Sequence, residues 1–507
     1  MMKQTYFLLL LFASPLLTFA QSGVLDSTFG TDGVVTTAVH SNYNMAESTI
    51  VQADGKILVA GTAGTPSSYQ MAVARYNEDG TLDTSFGTEG TLRFPVGSVK
   101  SYVMDMAQQP DGKILLGGRT WDNVSGDFAI VRLNEDGSFD NTFGTNGIFR
   151  IETPEAEASE AMALLDDGKI LMVGYRDDNL AVAKITTDGS MDTTFGVNGW
   201  AVLTYDGATS YADDLALQDD GKIVISGFAL NGSENRFHVA AARLNADGST
   251  DNSFGTDGKV IFNVGDWNDF GEGIAIQSDG KILIGGHKWI ANLDQRHDLF
   301  VARLNTDGSL DASYGTSGVA TARLVDGANY ANDLVLQADD KPILMGYTIF
   351  HGIIDMAMVR FDTDGNLDST FNGDGMVSFD NMGREDYGYA IALQADDKII
   401  LAGYSYGGGG SEFEIARFLN EDTVGTDDFK NADFRLYPNP VREQLTIEMN
   451  DASSKYQLEI YDMLGKKVIS SEIHKVGQVD VSNLASGTYL VKLNSNSQST
   501  TVRFVKQ

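Results

Sequence analysis

One ten-residue phrase governs what this chain can become. Gln52-Ala53-Asp54-Gly55-Lys56-Ile57-Leu58-Val59-Ala60-Gly61 returns, with variations, over residues 109–118, 165–174, 218–227, 277–286, 337–346 and 394–403. A period of this size commits the chain to a repeat architecture, in which each unit buries its apolar faces against its neighbours. Asp-Gly is a tight-turn dipeptide, because Gly takes positive φ without steric cost and Asp tolerates it. The apolar run that follows is short and closed by Gly, which reads as a buried strand. The repeated object is a β-hairpin turning at Asp-Gly-Lys.

Two further marks recur in each unit. One is Arg75-Tyr76-Asn77-Glu78-Asp79-Gly80, matched at Arg132, Lys184, Arg243, Arg303, Arg360 and, without the Asp-Gly turn, Arg417. The other is Leu82-Asp83-Thr84-Ser85-Phe86-Gly87, whose copies centre on Phe29, Phe143, Phe195, Phe254, Tyr314 and Phe371. Runs such as Phe128–Leu133 add a third buried strand, and the residues after Phe-Gly an outer one. Four short antiparallel strands in each of seven units, with no helical periodicity, predict an all-β chain built on a seven-bladed β-propeller. The first copy starts at an outer strand and the last stops after a third strand. Gly33–Val39 is therefore expected to pair with Phe413–Leu419 and close the ring.

The pairing of Leu-Asp-x-Thr-Phe-Gly-x-x-Gly with Gln-x-Asp-Gly-Lys-Ile resembles the delta-60 repeat, a β-propeller-forming family without an assigned function. The resemblance spans roughly residues 23–420. Departures from it fall in the last units: Asp340 and Asp397 replace the turn Gly, Pro342 enters a strand, and Asn372-Gly373 alters the last Phe-Gly.

Residues 1–20 read as an export signal, with Lys3 ahead of the short apolar core Phe7–Leu17 and a small residue, Ala20, at the cleavage position. No segment approaches the roughly 20 apolar residues of a membrane span, so no membrane insertion is expected. The chain has no cysteine, which excludes disulfides and a lipid-anchored N-terminus. Its formal net charge of −34 argues against nucleic acid or anionic lipid as partner. Apolar residues make up 42%, enough for a large core.

Residues 420–433 are acidic and polar and read as a linker. Residues 434–507 then alternate strictly: Leu445, Ile447 and Met449; Leu458 and Ile460; Val479 and Val481; Tyr489, Val491 and Leu493. Such alternation predicts a small β-sandwich. The segment resembles the type A C-terminal sorting domain of the type IX secretion system. The residues that carry this are Tyr437-Pro438-Asn439-Pro440-Val441, Ile460 to Val468 around Gly465, and Leu484 to Leu493 around Gly487. The resemblance implies passage across a Gram-negative outer membrane, with the secretion machinery as partner, and release or surface attachment afterwards.

Chemistry is sparse. The six histidines lack metal-ligand spacing, and there is neither a Cys nucleophile nor a Gly-x-Ser-x-Gly elbow. Asn77-x-Asp79-Gly80-x-x-Asp83 resembles part of a calcium loop, yet Arg or Lys stands two residues before it in every copy, which suggests Arg–Asp pairing instead. The Asp-Gly turns all fall on one face of a propeller. The opposite face carries connections of variable length, where binding residues concentrate. Its aromatics and histidines are the candidate ligand-binding set: Trp121, Tyr205, Tyr211, Trp267, His287, Trp289, Tyr330, Tyr347, His351 and Tyr387, with Phe270, Phe350, Tyr389, Tyr404 and Tyr406 near them. Four or five places before the Gln position stand acids: Glu47, Asp105, Glu160, Asp213 with Asp214, Glu272 and Asp333. Seven places before it stand Tyr102, Tyr211, Phe270, Tyr330 and Tyr387. These acids are expected to ring the channel mouth and either bind a cation, with calcium the candidate, or carry raised pKa values. The reading that results is a secreted or surface binding and adhesion module, acting as a monomer on a glycan or surface polymer. An enzyme acting on extracellular polysaccharide and a structural surface protein are the alternatives.

Overall fold

The computed structural model describes residues 22–121, 126–151, 157–205, 208–291, 296–420, 434–437, 441, 444–449, 456–462, 466–473, 476–484, 487–494 and 499–506. The expected export signal, Pro438, Asn439, Pro440 and Gly465 lie outside them. Among the described residues there is no helix, so none is long and apolar enough to cross a membrane. The chain divides into two compact units, Met1–Glu421 and Asp422–Gln507.

The first unit holds seven four-stranded antiparallel sheets among its described residues. It is a seven-bladed β-propeller. In blade 1 the inner strand Tyr43–Val51 turns through Asp54-Gly55 into Ile57–Thr65, then Ser68–Tyr76, then the outer strand Thr91–Phe94. The Gln52 amide bonds the Lys56 carbonyl and the Gly55 amide the Gln52 carbonyl, both through the turn. The inner strands of blades 2 to 7 are Lys100–Gln108, Glu157–Leu164, Ser210–Leu217, Asp269–Ile276, Ala328–Leu336 and Glu385–Leu393. Apolar residues of successive blades interleave; Leu58, Val73 and Phe86 share a core with Val103, Ile114 and Val131. Each fully buried large apolar side chain contributes about 1.5–3 kcal/mol.

The recurring marks are joints between blades. Arg75 Nε donates to Asp83 Oδ2 at 2.8 Å, its guanidinium lies 4.8 Å from the Phe86 ring centre, and its Nη1 reaches the Glu135 carbonyl of the next blade at 2.6 Å. Arg132, Arg243, Arg303, Arg360 and Arg417 repeat the ion pair with Asp140, Asp251, Asp311, Asp368 and Asp26. Lys184 is the exception, and there Lys169 takes over Asp192 at 2.8 Å. The Asp oxygens that resembled calcium ligands are used within the turns: Asp79 Oδ1 accepts from Thr81, and Asp83 Oδ1 from Ser85. Burial works against ionisation of Asp83, but the Ser85 hydrogen bonds and the Arg75 charge hold it below the usual carboxylate range.

Phe-Gly is explained by the same joint. The Gly87 amide bonds the Asp136 carbonyl of the next blade at φ +54°, and a Cβ there would lie 2.4 Å from the Thr91 carbonyl oxygen. The departures in the last units are absorbed. Asn372 adopts φ +52° in place of that Gly, Asp340 and Asp397 take φ +65° and +64° in their turns, and Pro342 opens its strand opposite Leu336.

Ring closure follows the expected register. Val34–Thr37 pairs with the last third strand, Val34 against Ala416 and Thr37 against Phe413. The Gly23 amide bonds the Leu419 carbonyl and the Asp26 amide the Arg417 carbonyl. One boundary moves. Asn420 belongs to the propeller rather than to the linker, because its buried Oδ1 accepts from Arg360 Nη1 at 2.8 Å.

The second unit has a three-stranded sheet (Phe434–Tyr437, Gln444–Met449, Val476–Asp480) and a four-stranded one (Lys467–Ile473, Tyr456–Asp462, Gly487–Asn494, Ser499–Lys506). Val441, Leu445, Ile447, Leu458, Ile460, Val479, Val481, Tyr489 and Val491 form their shared core; all but Val441 belong to the alternating set. Of the sorting motif, Tyr437 ends the first strand and Gly487 begins the sixth.

Candidate functional site: the channel mouth

Every inner strand carries a β-bulge at the same place, five residues before the Gln position. Register shifts fall between Ala46 and Ser48, Val103 and Asp105, Ser159 and Ala161, Ala212 and Asp214, Gly271 and Gly273, Ala331 and Asp333, and Gly388 and Ala390. A bulge leaves one residue unpaired and re-aims its side chain. The unpaired residues are Glu47, Met104, Glu160, Asp213, Glu272, Asn332 and Tyr389.

The acids four and five places before Gln are therefore two sets, not one ring. Asp105, Asp214 and Asp333 stand just after the bulge and clip one blade to the next. Each Oδ2 accepts the amide of the following blade, from Met162, Ile274 and Ile391 respectively, at 2.9 Å. Each Oδ1 accepts the adjacent amide at 2.7 Å. Burial still pushes Asp333 up to about 6 despite those bonds. Glu47, Glu160, Asp213 and Glu272 are the bulged set, and their charges act on one another across blades. Glu160 pairs with Arg119 at 2.6 Å. Burial pushes Glu47 up to about 8 against the pull of Arg119, and Glu272 up to about 8 with help from Glu160. Asp213 Oδ2 is buried with no hydrogen-bond partner. Among the described residues no three Asp, Glu or His side chains stand close enough together to hold a metal ion.

Three residues before each bulge the chain places a buried polar side chain that sequence reading passed over: Asn44, Ser101, Glu157, Ser210, Asp269, Asn329 and Asp386. Several fasten the variable connections. Asp269 accepts the amides of Val264 and Gly265, Asn329 those of Leu324 and Val325, and Asp386 that of Asn381.

Above the bulges lies a collar of cross-strand pairs: Tyr102 with Arg119, Ala158 with Tyr175, Tyr211 with Phe228, Phe270 with His287, Tyr330 with Tyr347, and Tyr387 with Tyr404. From Tyr175 onward the rings touch without a break. Tyr175 meets Tyr211 at 5.0 Å, Phe228 meets Phe270 at 4.9 Å, and His287 meets Tyr330 at 5.2 Å. Tyr330 stacks on Tyr347 at 4.9 Å, Tyr347 meets Tyr387 at 5.2 Å, and Tyr387 stacks on Tyr404 at 4.7 Å. Trp289, 37% exposed, stacks on His297 at 5.0 Å. His287 is only 7% exposed, and its Nδ1 has no hydrogen-bond partner and lies 3.6 Å from Glu272 Oε1. Burial, reinforced by His297, pushes His287 down to about 3, so its imidazole is neutral.

Of the ten candidates, Tyr211, His287, Trp289, Tyr330, Tyr347 and Tyr387 join this arc. Tyr205 does not face the mouth: it is buried between blades and its hydroxyl donates to the Ala241 carbonyl at 2.8 Å. Trp121 and Trp267 are exposed outside the arc, the latter under the Arg236 guanidinium at 4.5 Å. His351 sits exposed at a hairpin tip against Phe350. Tyr175, Phe228, Phe237 and His297 were not selected from sequence. For Tyr175 and Phe228 the signal was available, since both directly follow the Gly that closes the repeated phrase.

Seven segments (52–86, 109–143, 165–195, 218–254, 277–314, 337–371, 394–424) match the family described as a domain of unknown function (DUF5122) beta-propeller, and residues 435–507 match the secretion system C-terminal sorting domain. The chain is a DUF5122 propeller with a sorting domain. That domain marks proteins exported by type IX secretion to the cell surface or extracellular space, and implies interaction with the secretion system. No curated protein matches the chain. Solved structures similar to this propeller protein include PorZ of Porphyromonas gingivalis, at 15% identity and TM-score 0.40, covering 92% of this chain and 60% of that one. The polysaccharide lyase Uly1 is similar at 12% identity and TM-score 0.44, covering 76% and 91%. The β-propeller domain of the Trilobed protease from Pyrococcus furiosus is similar at 10% identity and TM-score 0.40, covering 73% and 95%. The DUF5122 chain thus spans three fifths of the PorZ chain.

The bulged acids are expected to give the DUF5122 propeller a pH-dependent stability. Glu47 and Glu272 hold protons more tightly folded than unfolded, so their contribution to stability falls as pH rises from 4.5 towards 8. His287 and His297 act oppositely, but only below their ordinary value of 6.5. The melting temperature is therefore expected to fall between about pH 6.5 and 8. Glu47→Gln with Glu272→Gln should flatten that slope, and a midpoint that climbs across the window would show both acids ionised in the folded chain.

Proposed function

We propose that this secreted protein is a binding or adhesion module whose channel mouth takes a glycan or surface polymer, and that it works as a monomer. The observation that carries the reading is the unbroken, largely half-buried arc of rings from Tyr175 to Tyr404 above bulged acids. Aromatic faces stack on the apolar faces of sugar rings, while neutral carboxyls, amides and imidazoles exchange hydrogen bonds with hydroxyls. The arc crosses five blades, which suits an extended chain of rings better than one small solute.

The test is a glycan array probed with the mature full chain, followed by titration of each hit. Tyr347→Ala and Tyr404→Ala are each expected to weaken binding by roughly tenfold, the order found when an aromatic stacking contact of 1–2 kcal/mol is removed. An array without hits, or hits that both variants bind as well as the parent, would refute the reading.

A second reading, an enzyme acting on extracellular polysaccharide, draws on one observation: the Glu272 carboxyl and the neutral His287 Nδ1 stand 3.6 Å apart, a proton donor beside an acceptor. Chain shortening of an array hit on incubation with the protein, lost in Glu272→Gln, would favour it.

A further inference from the structure

The carboxyls at the channel mouth are too many for the cations beside them. Glu47, Glu160, Asp213 and Glu272 act on one another from blades 1, 3, 4 and 5, and among the described residues the positive charge acting on them is Arg119, already bonded to Glu160. Two buried atoms there lack any partner, Asp213 Oδ2 and His287 Nδ1. His287 is nine-tenths buried and aims that nitrogen at Glu272. In the neutral ring His287 Nδ1 is an acceptor, and Asp213 Oδ2 becomes one once its carboxyl ionises, so a donor would satisfy both. Aromatic rings border the acids: Phe270 is stacked on His287 at 5.2 Å, and Tyr389 on Tyr404 at 5.7 Å beside Glu47.

We propose that the mouth recognises an ammonium group, and that the glycan it takes is an amino-sugar polymer rather than a neutral or anionic one. This rests on the glycan reading above. An ammonium carries three donors and a charge, which matches orphan acceptors, uncompensated carboxyls and aromatic faces at once. A sulfate or uronate would leave these carboxyls protonated and draw no ion pair from them. A hydroxyl would fill the acceptors but leave the carboxyls protonated. Without a cation the acids keep their protons because burial penalises the charged form; an ammonium removes that penalty and should expel a proton as it binds.

The experiment is calorimetry on the mature full chain at about pH 6, where the ligand amines are mostly charged and Glu47 and Glu272 still hold protons. A β-1,4-linked glucosamine tetrasaccharide, its fully N-acetylated form and calcium chloride are titrated in two buffers of different ionisation enthalpy. The amine form should bind at least about tenfold more tightly than the acetylated form, as expected for a charge-assisted bond with a cation–π contact. It should also release protons. Asp213→Asn with Glu272→Gln should abolish both the preference and the release, and Glu47→Gln should reduce the release; amide replacements keep the shape of the neutral carboxyls and remove only their ability to ionise, so the fold is retained. Equal binding of the two sugars without proton release overturns the ammonium proposal and leaves the glycan reading standing. Binding of neither overturns both when the array is also blank. Calcium binding with proton release and no sugar binding overturns it in favour of a metal site.

Discussion

Deleting residues 21–39 is expected to abolish cooperative unfolding of the propeller and to make it aggregate. The deletion removes the outer strand Val34–Thr37, the buried Phe29, and Asp26, the carboxylate partner of Arg417. Losing Phe29 costs about 1.5–3 kcal/mol of burial. Stranding the Arg417 guanidinium, nearly fully buried and without its carboxylate, costs about 3–5 kcal/mol more. Together these approach the whole stability of a typical domain, about 5–15 kcal/mol, and the last third strand becomes an open sheet edge. Thermal unfolding and size-exclusion chromatography decide the matter. A deletion variant that melts as sharply as the parent and stays monomeric would mean the ring holds without its seal.

Truncation at Asn431 is expected to reduce the exported fraction to near zero and leave folded propeller in the periplasm. The sorting domain has its own core of Leu445, Ile447, Leu458, Ile460 and Val491, separate from every blade core. Its removal should therefore change location without changing the propeller's melting transition. Fractionation of cells carrying the truncated chain, with melting of the recovered protein, reads both. Parental amounts in the medium would deprive the tail of its sorting role.

The propeller was legible because each mark of the repeat performs one joint, and the joint recurs often enough to be seen. Asp-Gly-Lys fixes a turn, Arg and Asp an ion pair, and Phe-Gly a left-handed link to the next blade. Even the closing register could be placed, since only one pairing leaves every blade with four strands. The site was half legible. Counting back from Gln found the acids and most of the collar, but it could not place the bulge at position five, which sets that residue apart from position four. That single unpaired residue separates Glu272, at the bulge, from Asp333, which is spent on backbone amides. Tyr205 failed for another reason. Its position after an outer strand looks like a loop, yet blade packing swallows the ring, and nothing local in the sequence distinguishes the two outcomes.

The seal of the ring has the same chemistry as its internal joints. Arg417 meets Asp26 across 391 positions at 2.9 Å, as Arg75 meets Asp83 across eight at 2.8 Å, and the Gly30 amide reaches the Asp79 carbonyl as Gly87 reaches that of Asp136. The propeller's two ends are thus ordinary complementary halves of one unit, cut at the boundary before an outer strand. Duplication or loss of an entire unit by recombination would leave those halves intact and still able to meet. An array with one unit more or fewer would therefore present the same fastening at its seam as this one does.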